Sequence, residues 1–220
     1  MTAPSRSESC GRLPGTATAC RGAGEAGSLV AELALVLPFL VLLVLGIFEF
    51  GMAWRESLNL ASAVRSGARQ VTNAGDTRPA DYLALQGFQS TMARARNVSV
   101  DRVSIYKAVN ADGDPSNPSC LTIVPTGSGT GVSGACNIYS WSQINGLGAN
   151  YLTHFGPNDT SCTGAWDSSW CPINRNADQG DPPDYVGFYA RVTYTSYTNL
   201  LPSSITVTDR GVMRIEPKVS

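Results

Sequence analysis

Hydrophobic and polar positions separate sharply along this chain. From Leu33 to Phe48 the 16 residues are all uncharged, and nearly all are large aliphatics or phenylalanines. That run alone is short of the ~20 residues a helix needs to span a bilayer. Extending it to Ser28 on one side and Trp54 on the other supplies the length and admits Glu32 and Glu49. A helix apolar around its whole circumference needs burial on every side, and the remaining chain is too small to surround it. The pattern predicts a transmembrane helix, with Trp54 and Arg55 as an aromatic and basic interfacial anchor. Glu49 reads as an interfacial or helix-surface charge.

Beyond the apolar run the period changes. Ser57, Ala61, Val64, Ala68 and Val71 are spaced 4, 3, 4, 3, which continues the helix to about Val71 and leaves Arg65 and Arg69 on other faces. Small residues on that stripe permit close approach to a neighbouring element. From Ser28 to Val71 such a helix is about 66 Å long, so it projects past a hydrocarbon core of ~30 Å as a stem. Turn formers from Asn73 to Pro79 break it. A second helix is predicted from Pro79 to Arg96. Strands are predicted at Val98 to Val109, Cys120 to Val124, Val186 to Tyr197, Ile205 to Asp209 and Val212 to Glu216. Helices followed by strands predict an α+β fold, with the stem on one face of an antiparallel sheet. The organisation is a leader (1–27), a transmembrane helix and stem (28–72) and an extracytoplasmic head (73–220), with a loop-rich insert at 110–184.

Composition narrows the function classes. The 220 residues carry 16 basic and 17 acidic side chains, a formal net charge of -1, which gives no global attraction to nucleic acid. The single histidine, His154, is the one imidazole a hydrolytic triad or zinc site could use. No glycine-rich phosphate loop is present. These features place the chain outside the common enzyme classes and call for no cofactor and no metal. The acidic turns around Asp112, Asp114 and Asp184 lack calcium-loop spacing. Trp141, Trp166, Trp170 and Tyr151 in the insert read as a small packed core.

Residues 1–27 are rich in Ser, Gly, Pro, Ala and Thr without hydrophobic period, so no fold is expected there. Cys10 and Cys20 fall in this leader. Cys120, Cys136, Cys162 and Cys171 fall in two close pairs, which suggests disulfides in an oxidising compartment and puts the head outside the cytoplasm. The adjacent pairing is Cys120 with Cys136 and Cys162 with Cys171, one of three connectivities that four cysteines allow.

One stretch carries a family resemblance. Gly27-Ser28-Leu29-Val30-Ala31-Glu32 resembles a type IV prepilin processing site, with glycine before the cut and glutamate at the fifth mature position. Together with Pro38-Phe39-Leu40 and Gly46-Ile47-Phe48-Glu49-Phe50-Gly51, it is similar to the TadE-like pseudopilins of tight-adherence (Flp) pilus systems. A weaker likeness returns at Arg214 to Pro217. The resemblance implies a non-enzymatic minor pseudopilin whose leader is removed after Gly27 by a prepilin peptidase, while the helix is retained. Ser28 then becomes the new N-terminus, and its ammonium pairs with Glu32 to set register. Pro38 kinks the helix. Partners implied are other pilins or pseudopilins, inner-membrane pilus assembly proteins and the lipid bilayer. The alternative is an uncleaved, membrane-anchored binding or adhesion protein unrelated to pili.

Overall fold

The computed structural model describes residues 23–156, 160–178, 182–198 and 203–216, with side chains from Leu29 onward. It comprises two compact units, residues 1–43 and 44–220. Most of the predicted leader, Cys10 and Cys20 included, lies outside the described residues. Helix α1 (Ala23–Ala74) is 52 residues long and contains Pro38. It starts ahead of Ser28 and ends past the predicted Val71.

In the second unit α1 continues from Val44, followed by α2 (Ala80–Met92), which stops short of the predicted Arg96. An antiparallel sheet follows, made of β1 (Val98–Ala108), β2 (Gly131–Val132), β3 (Cys136–Tyr139), β4 (Tyr185–Thr195) and β5 (Ser204–Arg214), in the order β2-β3-β1-β4-β5. The α+β class is as predicted. Two strand assignments differ. Cys120 to Val124 is no strand, because Pro118 opens a 3-10 turn over Pro118–Leu121 capped by the Asn117 side chain. The strand lies instead at β3, whose four residues are all buried and so show no alternation. The two predicted terminal strands are one continuous β5, running through Gly211.

Side-chain alternation explains which face each strand residue covers. On β4, Val186, Phe188, Ala190 and Val192 face the helical layer, while Tyr185 and Tyr189 face the other side. On β1, Val98 and Val100 face the helices, and then Val103 and Ile105 do. The parity changes because the register shifts between Val100 and Arg102, where Asp101 is the extra residue of a bulge.

The stem packs through Leu60, Ala63, Val64, Ala68 and Val71, with Ser57 and Ala61 only half-buried. The contact stripe is thus rotated toward Leu60 and Ala63 relative to the predicted one. Gly67 fixes that rotation, because a Cβ there would lie 2.7 Å from the Phe188 ring. Phe188 in turn meets Phe88 of α2, ring centres 5.5 Å apart. Across the sheet a smaller cluster gathers Tyr106, Ile138 and the Cys120–Cys136 disulfide.

The insert is held by buried polar groups. Asp81 of α2 accepts from Tyr139 (2.7 Å), Asn137 (2.8 Å) and Arg175 (2.5 Å), all buried. Asn137 also exchanges two 2.8 Å hydrogen bonds with the Trp170 backbone, and the Arg175 guanidinium lies 4.2 Å from the Trp170 ring centre. Arg78 pairs with the buried Asp167. Phe155 and Trp166 complete the packing, with Trp170 buried and Trp141 and Tyr151 partly so. These contacts tie α2 and β3 to a loop that has little regular structure of its own.

Candidate assembly segment

From Leu29 to Val44 the apolar run is exposed at every position, and burial begins at Leu45 and Gly46 and is complete at Glu49. From Leu29 to Phe50 the large hydrophobic side chains that face outward are 48–73 % exposed. Exposed apolar area on this scale is unfavourable in water by about 25 cal/mol per Å². Lipid or other apolar helices must cover it. α1 is long and apolar enough to cross a membrane.

Glu32 lies at the start of this surface and is exposed. Gly27 and Ser28 fall within the helical backbone of α1. Pro38 lies inside the helix, where its ring removes the N–H that would bond the Ala34 carbonyl.

Glu49 closes the apolar run and corrects the sequence expectation. Rather than a surface charge, it is a fully buried carboxylate. Oε1 accepts from the Tyr197 backbone N–H at 2.7 Å and the Tyr194 hydroxyl at 3.2 Å. Oε2 accepts from the Thr198 N–H at 3.2 Å and its hydroxyl at 3.1 Å. Donors from the end of β4 and from the β4–β5 connection therefore converge on one side chain of α1, and a buried carboxylate requires that degree of hydrogen bonding. Burial first, and then the adjacent Glu49 charge, push the Tyr194 phenol up to about 12, so it remains a donor across the physiological range.

The cysteines pair as Cys120–Cys136 and Cys162–Cys171, Cα separations 5.9 and 5.6 Å. Both lie in the head and close short segments, with sequence separations of 16 and 9 residues, so they brace loops. His154 stacks on Trp166 at 3.9 Å, with its Nε2 3.1 Å from the Gly146 carbonyl, which makes it a packed residue. In the Asn110 turn, Asn110 Oδ1 accepts from the Gly113 and Asp114 N–H groups, so this acidic stretch is a side-chain-closed turn.

Sequence reasoning missed Glu49, Asp81, Arg78, Asp167 and Arg175 as organising groups. The signal that does exist is composition: in a head with few charges, acids next to apolar runs need partners.

No curated protein and no solved structure matches this chain. The segment from Gly27 to Arg69 does match a family model, described as TadE-like protein. That match spans the exposed apolar surface, Glu32, Pro38, Glu49 and most of the stem, so the N-terminal segment of this chain, residues 27–69, is TadE-like.

Proposed function

We propose that this chain is a minor pseudopilin of a Tad/Flp-type pilus, a structural and assembly component rather than an enzyme. The supporting observation is that the TadE-like segment includes an apolar helical stretch, Leu29 to Val44, exposed at every position and continuous with the helix of a folded head. Such a helix is satisfied either by lipid or by the apolar helices of other subunits. Between hydrocarbon and another apolar helix the hydrophobic difference is small, so packing and polar contacts decide association. That is the requirement for a subunit held in a membrane before it enters an assembly.

In this reading a prepilin peptidase cuts after Gly27 on the cytoplasmic side. The new Ser28 ammonium lies one helical turn from Glu32, within pairing distance of its own or a neighbour's carboxylate. A charged carboxylate inside a bilayer costs about 2.5–3.5 kcal/mol on insertion scales. Pairing offsets that cost only at the correct subunit register. Pro38 leaves one carbonyl without its helical partner and provides a bending point for packing. The head, extracytoplasmic and disulfide-braced, selects partners among other pilins and inner-membrane assembly proteins.

The test is Gly27→Leu in the native host. The reading predicts a chain of unprocessed mass that fails to support pilus formation. If the wild-type chain is itself recovered at its full unprocessed mass, differing from the substituted chain only by the Gly-to-Leu change, and pili form normally with either, the chain is an anchored adhesion or binding protein instead.

A further inference from the structure

The end of the head that carries Glu49 has a one-sided charge distribution. Its two acids on α1, Glu49 and Glu56, are turned inward, 0 % and 3 % exposed. Arg55, which directly precedes Glu56, is exposed, as are Arg94 and Arg96 in the segment joining α2 to β1. Among the described residues no carboxylate forms an ion pair with any of these three, and the nearby Asp101 is taken by Arg191 at 3.4 Å.

Three contacts place Arg94 and Arg96 at this end. Thr91, near the end of α2, shares a surface groove with Leu58, Ala61 and Ser62 of α1. A Cβ on Gly87, one turn earlier, would lie 3.1 Å from Gln70, so α2 runs antiparallel to the stem and back toward the apolar run. Beyond it, the Asn97 carbonyl accepts from the Thr195 N–H at 2.8 Å, two residues before Tyr197, whose own N–H bonds Glu49. Arg96 therefore lies at the level where the apolar surface ends. Trp54 and Tyr197, 60 % and 43 % exposed, flank the same end.

We propose that this end of the head is a docking surface for anionic phospholipid headgroups. Exposed Trp and Tyr together with outward arginines is the composition of a membrane–water interface. Arg55 lies six residues beyond Glu49, about 9 Å along the helix. A headgroup layer is ~5–7 Å deep on each side of the hydrocarbon, so an arginine stem spans the remaining distance. Three exposed arginines that form no ion pair among the described residues match a layer of phosphate and glycerol-phosphate groups, and the contact fixes the height and tilt of the head before assembly. The inference rests on α1 being a bilayer anchor and does not depend on leader processing.

The experiment reconstitutes the full chain in nanodiscs of phosphatidylcholine, alone or with phosphatidylglycerol added, and follows hydrogen exchange of residues 93–98. Exchange is expected to slow in the anionic discs and to recover in high salt. Arg94→Gln and Arg96→Gln are each expected to reduce the protection about five-fold, while exchange in β1 and β4 stays unchanged as the control for folding. Equal exchange in the two lipids, or protection that survives both substitutions, overturns the proposal. Protection that arises only when an acidic pilus subunit is added overturns it in favour of a protein partner. A chain that fails to enter the discs defeats the anchor reading itself, a result distinct from the others.

Discussion

Tyr194 donates its hydroxyl to Glu49 across 3.2 Å, joining residues 145 positions apart. With the Tyr197 and Thr198 donors, the bond fastens the β4–β5 connection to α1 where the apolar run ends. The β4–β5 connection is thereby fastened to α1 at Glu49, in addition to the packing of the sheet against the stem from Leu60 to Val71.

Glu49→Ala is expected to destabilise the head by about 1–3 kcal/mol, because it strips the acceptor from partly buried donors. Glu49→Gln, which keeps one carbonyl acceptor, is expected to fall between. Urea unfolding of the full chain in micelles, followed by near-UV circular dichroism, checks the order. Equal stability of all three chains would show that the clamp contributes nothing.

Gly67→Ala tests the stem–sheet contact. An added methyl would overlap the Phe188 ring at 2.7–2.9 Å. Overpacking of this kind costs about 1–3 kcal/mol, against a helix-propensity gain of up to ~1 kcal/mol. The net expectation is loss of stability, partly restored in Gly67→Ala/Phe188→Leu. A single substitution that stabilises the chain would mean that α1 is not seated on Phe188.

Asp81 is the hub of the insert. Asp81→Ala leaves Arg175 buried with its carboxylate partner gone and Tyr139 without its acceptor, at a cost of about 3–5 kcal/mol. Limited proteolysis is expected to cut the insert first, since its loops depend on this network more than the sheet does. Resistance equal to wild type would contradict that role.

Asp167 makes stability pH-dependent. Burial first, and then the nearby Asp81 charge, push its carboxyl up to about 7 from an ordinary 3.8, with the Arg78 contact opposing the shift. The folded state therefore holds this proton more tightly than the unfolded chain. Its contribution is fully present below pH 3.8 and is lost as pH rises toward 7. Over that window the wild type is expected to lose stability relative to Asp167→Asn, as read from melting temperatures at each pH. Parallel profiles would refute the shift.

What was legible in the sequence is what local pattern determines. The run from Leu33 to Phe48 declares itself because no soluble packing can cover it. The strand at β4 does so through alternation, with Phe188, Ala190 and Val192 on one face. The cysteines could be paired by proximity. Distant contacts were not legible. Glu49 finds backbone amides and hydroxyls of Tyr and Thr, none of which marks an acid's partner in sequence. The stem stripe was misplaced because small size alone does not show which small residue faces a ring, and Gly67 against Phe188 decides it. β3 escaped because four residues buried on both faces have no period to read.

The most direct measurement is the intact mass, or N-terminal sequence, of the chain recovered from membranes of its native host with the prepilin peptidase present. A chain beginning at Ser28 is the result expected of a processed pseudopilin. A chain that still carries Met1 to Gly27 would contradict that account and leave an anchored head with no place in a pilus.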